Sequence, residues 1–270
     1  MLQLKNETPF KATIAAMPDT DGVDALWAIV KATFTIGDSL EIAEQQVPIA
    51  LESVHQGEPA VSSITTPSDI GLRKPGTDVL LLGHAHAPGG RAVKESDVSL
   101  RIGSLAKSVR LYGKRVWGVG AMRNGISTPE PFRTVPLVWE RAFGGTDLVE
   151  GRKPELHGES RNPVGAGFRV KNGRKPLEGM QLPNLEDPRS LISGWQDRPL
   201  PVCFAAVAPH WEPRRSHAGT YDERWQRRHA PYLPQDFDPR FFQVAPPDLV
   251  TRGHLRGDEE IEVRGATPDG

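Results

Sequence analysis

The stretch Val98-Ser-Leu-Arg-Ile-Gly-Ser-Leu-Ala-Lys-Ser-Val-Arg-Leu111 carries the clearest fold signal in the chain. Val98, Leu100 and Ile102 alternate with Ser99 and Arg101. After Gly103-Ser104, the positions Leu105, Lys107, Val109 and Leu111 continue, with Ser108 and Arg110 between the last three. A period of two on either side of a Gly-Ser turn predicts a β-hairpin with one buried face.

The same reading extends outward. From Trp27 to Ile36 the even positions Ala28, Val30, Ala32, Phe34 and Ile36 are apolar, which predicts a half-buried strand. Gly37-Asp38-Ser39 turns the chain, and Leu40–Ala43 is expected to return as its hairpin partner. Thr77–Ala87 contains four consecutive apolar residues, Val79 to Leu82, and reads as a strand covered on both faces. It ends at Pro88-Gly89-Gly90. Shorter strands are expected at Val116–Val119, Val135–Phe143 and Ile261–Val263. One helix is expected after Thr220 as cap, with Asp222 and Glu223 in its first turn, Arg227, Arg228 and His229 in its last, and Pro231 as its stop. The terminal Thr267-Pro-Asp-Gly270 reads as a turn into a further strand, so the chain is expected to be C-terminally truncated.

Composition narrows the function. The chain has 270 residues, 33 Lys+Arg, 34 Asp+Glu and a formal net charge of -1, so the overall basic field of a nucleic-acid coat or polybasic membrane anchor is absent. One cysteine excludes an internal disulfide framework and a thiolate zinc site. No apolar run reaches the roughly 18 residues of a membrane span, and Met1–Lys11 lacks the apolar core of a secretory signal. The expectation is a soluble cytoplasmic protein. Prolines divide the chain: seven fall within 1–128 and seventeen within 129–247. The second half retains Phe168, Leu182, Leu185, Trp195, Phe204 and Trp211, so its segments read as ordered loops packed on a β core rather than a tether. The expected architecture is a single domain over 1–270. A strand-rich half, 1–128, forms a sandwich-like or irregular barrel-like mainly β core. A Pro-rich half, 129–270, wraps it with long ordered loops and one or two short helices.

Candidate chemistry is sparse. His84 and His86 lie two apart on one strand face and offer two ligands of a four-ligand metal site; the bland alternative is a hydrogen-bonded pair at a strand end. No nucleophile elbow is present, and Cys203 within Pro201-Val-Cys-Phe204 reads as an inert buried thiol. Phosphate-binding loops are missing; Gly118-Val-Gly-Ala121 and Gly165-Ala-Gly-Phe168 read as turn glycines. Glu186/Asp187 and Asp236/Asp238, next to prolines, read as turn caps. Arg214, Arg215, Arg224, Arg227 and Arg228 lie near Trp211, Tyr221 and Trp225. Arg and aromatic residues together suit a protein interface, single-stranded nucleic acid, or simply a solvated helix face.

Several segments together resemble one family: Asp78–Gly90, Pro136–Gly145, Arg161–Gly165, Leu182–Pro188, Gly219–Trp225, Leu233–Phe242 and Ala245–Leu249. They resemble the bacterial family DUF2169, associated with type VI secretion. On this resemblance the motif residues are Gly83, His84, Glu140, Arg141, Phe143, Gly144, Gly145, Asn162, Pro163, Asn184, Asp187, Asp238 and Pro239. The resemblance implies a non-enzymatic adaptor or chaperone that binds a secreted effector and helps load it onto the spike, with effector and spike or spike-tip proteins as partners. It implies no catalytic residues, no cofactor, no nucleic acid and no membrane, and a further strand beyond Gly270. Rival readings are a metal-dependent enzyme using His84 and His86, and a carbohydrate-binding β domain presenting Trp195, Trp211 and Trp225 as one exposed platform.

Overall fold

The computed structural model describes residues 3–37, 39–71, 73–118, 125–147, 157–170 and 178–268. Among these the strands, in chain order, are β1 (Lys11–Pro18), β2 (Asp24–Lys31), β3 (Phe34–Ile36), β4 (Leu40–Ile42), β5 (Val54–His55), β6 (Ile64–Thr66), β7 (His84–His86), β8 (Glu95–Ile102), β9 (Leu105–Tyr112), β10 (Thr134–Pro136), β11 (Phe143–Gly144), β12 (Ala166–Gly167), β13 (Leu185–Glu186) and β14 (Ile261–Arg264). The one α-helix among the described residues is α1 (Glu223–Arg228). The protein is mainly β, as expected.

The hairpin β8–β9 is the heart of the fold. Its register places Val98 opposite Val109, Leu100 opposite Lys107 and Ile102 opposite Leu105. The apolar parity is buried, with Val98, Val109 and Leu111 fully so. Lys107 lies on this buried face because its long stem can cover apolar surface while its ammonium leaves the core. The ammonium meets the Asp248 carboxylate at 2.9 Å and lies 5.6 Å from the Phe204 ring centre. β13 adds to β9 and β14 to β8, completing the sheet β13-β9-β8-β14. The remaining strands form two-stranded ribbons, and no sheet closes into a barrel among the described residues.

The two halves do not divide into core and wrapping as the proline count suggests. The Pro-rich half supplies the centre of the core. Residues 202–208, Val-Cys-Phe-Ala-Ala-Val-Ala, are buried throughout without forming a strand. A buried backbone outside a ladder needs other hydrogen-bond partners. Here side chains supply several: the Trp139 indole N–H donates to the carbonyls of Ala205 (3.1 Å) and Ala206 (2.9 Å), and the Arg214 guanidinium donates to that of Val207 (2.6 Å). The Val207 N–H donates to the Val244 carbonyl. Trp139 and Trp211 pack edge to face over this segment, their ring centres 6.1 Å apart.

Other local expectations need correction. Residues 77–83 are extended but form no continuous strand. Their backbone partners are scattered: an isolated Asp78–Val250 bridge, bonds between Thr77 and both Thr251 and Gly253, and single bonds to Leu249, Phe204 and Leu137. Their neighbouring segment contains Pro246 and Pro247, which have no N–H to donate to a ladder. Leu82 and Gly83 face solvent rather than a covered face. Val135–Phe143 divides into β10, a 3-10 turn at Trp139–Arg141, and β11. Val116 and Trp117 make only isolated bridges, and Val119 lies outside the described residues. The same holds for Gly120 and Ala121 of the Gly118–Ala121 fragment and for the last two residues of the terminal turn. No helix of the described residues is long and apolar enough to cross a membrane.

Candidate interaction surface

The largest departure from the sequence reading concerns which face of the N-terminal ribbon is covered. β1 and β2 pair antiparallel from Lys11–Lys31 to Pro18–Asp24. The alternation is present, with the parity inverted. The odd side of β2, with Ala25, Trp27, Ile29 and Lys31, is half-buried. The even side, which the apolar pattern assigns to the core, is exposed: Leu26 is 53% and Val30 61% accessible. Ala32 is exposed as well, and the hairpin β3–β4 that follows is exposed on both sides. There Phe34 pairs with Ile42 and Ile36 with Leu40. All four are exposed, Ile36 to 86%.

The reason for the inversion is that β2 is apolar on both sides, and Trp27 buries more surface than any even-side residue can. Lys31 holds the odd side down through an ion pair to Asp69 at 2.7 Å. Asp69 also accepts the Ala50 N–H. The β3–β4 hairpin is positioned by Gln46, whose side-chain amide both accepts from the Thr33 N–H and donates to the Thr33 carbonyl. Across the even-side face Ala12 pairs with Val30, Ile14 with Ala28 and Ala16 with Leu26. None of these carries a charge; the face lacks the lysines that commonly keep exposed strands apart, and its one charged residue is Asp24 at the end of β2, opposite Pro18.

The tip of this ribbon lies against the segment that follows α1. At Gly22 (φ +78°) a β-carbon would come within 3.0 Å of the Tyr232 ring. Tyr232 in turn accepts the Trp225 indole N–H at 2.9 Å. Helix α1 is capped by Asp222, which accepts the Trp225 N–H at 2.8 Å. Thr220 is not the cap; its N–H and hydroxyl both donate to Asp236. These bonds hold the Asp236 carboxyl below the usual carboxylate range.

The predicted interface residues separate into two groups. Tyr221, Arg224, Arg227 and Arg228 are exposed on or beside α1, with Trp225 half-buried beneath them and its ring 4.7 Å from Tyr221. Arg227 pairs with Glu223 and Arg215 with Glu212, whereas Arg224 and Arg228 have no ion pair among the described residues. Arg224, Trp225 and Arg228 line a polar hollow of about 310 Å³ together with Asp222 and His229. Trp211 and Arg214 do not belong to this surface. Trp211 is 1% exposed and stacks in the core, and Arg214 is buried against backbone carbonyls. The burial of Trp211 also removes the exposed platform of Trp195, Trp211 and Trp225 on which a carbohydrate-binding reading depends.

His84 and His86 share the outer side of β7, opposite the fully buried Ala85. Among the described residues they join no group of three metal-ligating side chains. Cys203 is fully buried, its thiol pushed up to about 11 by desolvation, and donates toward the Leu137 carbonyl.

The family described as an uncharacterized protein conserved in bacteria (DUF2169) matches residues 21–270. The chain belongs to the DUF2169 family. No curated protein and no solved structure matches it. Most of the residues that carry the family resemblance hold loops and turns in place in this chain. Asn162 is fully buried and donates to the carbonyls of Trp139 and Phe143, both at 2.9 Å. A side chain at Gly144 (φ +152°) would collide with the Asn162 carbonyl, and one at Gly145 (φ +97°) with that of Gly165. Glu140 accepts from the Ser63 N–H (2.8 Å) and hydroxyl (2.7 Å), tying β6 to the core. Asn184 donates to the Tyr112 carbonyl, and its N–H bonds Arg141. The Gly83 carbonyl accepts the Leu137 N–H. Asp187 and Asp238 cap tight turns through the N–H groups of Arg189 and Arg240, the latter just after Pro239. The guanidinium of each arginine holds the neighbouring carboxyl below its usual range. Phe143 lies in the core and Pro163 beside Asn162.

The sequence reading missed the even-side ribbon as a surface. The signal was present as alternation; what it lacked was a rule for which side finds a cover.

Proposed function

We propose that this DUF2169 protein is a non-enzymatic adaptor or chaperone that binds a type VI secretion effector in the cytoplasm and assists its loading onto the spike. The observation that carries the binding part is the exposed apolar side chains of two successive ribbons, Leu26 and Val30 on β2 and Phe34, Ile36, Leu40 and Ile42 on β3–β4. Exposed contiguous apolar surface on a folded protein marks an interaction site. The ribbon also has free strand edges, which suit an extended partner segment. The neighbouring exposed arginines of α1, two of them without ion pairs among the described residues, favour an acidic rim on that partner. The motif residues support the same reading: those with described bonds are engaged in holding loops and turns rather than converging on a reaction centre. The link to effector and spike comes from the family resemblance.

The test is a tagged pull-down from the native host, read by mass spectrometry, with the parent and a Val30→Lys/Ile36→Lys variant side by side. Near-stoichiometric recovery of a toxin-like or spike-tip protein by the parent, lost in the variant, supports the proposal. A folded parent that recovers neither under secretion-active conditions refutes it.

A further inference from the structure

We infer that the cavity between the 75–76 segment, the 213–217 turn and residues 243–253 is a binding site for a monocarboxylate carried on an apolar body. The cavity measures about 640 Å³, within the range of small-ligand sites. Its walls include Val207, Ala245, Pro247 and Val250. Arg214 forms part of the lining and is only 8% exposed.

Arg214 is an unusual residue to bury. Its Nε donates to the Phe241 carbonyl at 2.9 Å and its Nη1 to the Val207 carbonyl at 2.6 Å. It makes no ion pair among the described residues. The two carbonyls, the Phe241 ring 5.2 Å from the guanidinium carbon and the field of Asp78 offset its charge only in part, and a buried cation without an ion pair is costly. Burial pulls the guanidinium down to about 10, against the opposing field of Asp78.

The nearby carboxylates are committed elsewhere. Asp78 accepts from Gln243, Lys74 and the N–H groups of Val244 and Ala245. Asp238 serves Arg240 and faces His217. The Nη2 of Arg214 has no bond among the described residues, and Arg252 at the cavity wall has no ion pair there either. His217 and Arg240 also line the cavity, but both face Asp238, so the guanidinium groups there without an ion pair among the described residues are the buried Arg214 and the exposed Arg252, set against apolar walls. That arrangement matches a single negative charge with a planar acceptor fork, the geometry of a carboxylate. The carboxylate has two natural sources: a free apolar acid, or the chain end of a polypeptide. The inference stands apart from the adaptor reading, since neither the ribbon nor α1 contributes to this cavity.

Isothermal titration of the whole chain at pH 7 and low salt tests it, with N-acetyl-leucyl-leucine, its C-terminal amide and octanoate as probes. The acid should bind at least about tenfold more tightly than the amide, because a hydrogen bond to a charged group is worth about 1.5–3 kcal/mol. Tighter binding of the dipeptide acid than of octanoate identifies a chain end; the reverse identifies a free acid. Arg214→Met should abolish the preference for acid over amide. Should that variant fail to fold, Arg252→Ala, an exposed position, should weaken acid binding about two- to fivefold. Equal binding of acid and amide, or no binding of either acid at millimolar concentration, overturns the inference.

Discussion

Lysine at both Val30 and Ile36 separates a docking face from a core face in a single experiment. Burying one such side chain completely is worth about 1.5–3 kcal/mol. Val30 is 61% and Ile36 86% exposed, so together they hide only about half of one side chain, or about 1 kcal/mol. Lysine stems recover part of that cover, leaving an expected loss of about 0.5–1 kcal/mol in urea unfolding. The partner-bound state behaves differently. The surface still available to a partner amounts to about one and a half side chains, or about 2–4 kcal/mol. At 1.4 kcal/mol per tenfold, affinity for the captured partner should fall roughly 30- to 1,000-fold. Urea titration measures the first quantity and titration against the purified partner the second. A stability loss above about 3 kcal/mol would mean that the face is buried in the folded monomer, and the reasoning would fail. Unchanged affinity in a stable variant would remove the face as the contact.

Asn162→Ala should cost about 2–4 kcal/mol, because it takes the side-chain donor from the Phe143 carbonyl and leaves the Trp139 carbonyl with the Ala142 N–H alone; chemical denaturation reads this directly. Glu186 is not a mere turn cap but is buried in an ion pair with the buried Arg115, so Glu186→Ala should cost about 3–5 kcal/mol by leaving that guanidinium without its counter-charge, while the double change Arg115→Met/Glu186→Leu should be much milder. Comparable losses in the two would show that the pair itself is not what matters. Cys203 should resist thiol reagents in the native state and react only on unfolding, since its thiol is buried and held protonated up to about 11. The unfolded thiol releases its proton near the ordinary value of 9.0, so unfolding takes up base above that pH. The cysteine's contribution is therefore intact below about pH 9 and declines between about 9 and 11, and the parent should lose stability there relative to Cys203→Ala. Parallel curves for the two proteins would contradict this assignment.

The hairpin Val98–Leu111 was legible because its alternation is clean: one side is apolar apart from Lys107, whose stem is itself apolar. β14 and the helical segment after Thr220 were legible for similar local reasons, β-branched alternation and charge order. The cap of α1 was misread because Thr220 and Asp222 both suit an N-terminus. The choice was made by Asp236, sixteen residues beyond Thr220, which takes up the Thr220 hydroxyl. The buried run 202–208 had a signal of its own, seven consecutive apolar residues, but the surrounding prolines pointed to loops. It belongs in the core because distant Trp139 and Arg214 meet its carbonyls.

By itself, then, the order of residues determined the local period of each strand, the places where proline and glycine stop a ladder, and the resemblance that places the chain in its family. These depend on neighbours a few residues apart, where sterics and hydrogen bonding act directly. Which side of β2 is covered, which arginine is buried, and which loops form the core were decided only by tertiary structure. Burial is a property of what arrives from elsewhere in the chain. Two apolar sides of one strand compete for a single cover, and in β2 the even side is left exposed.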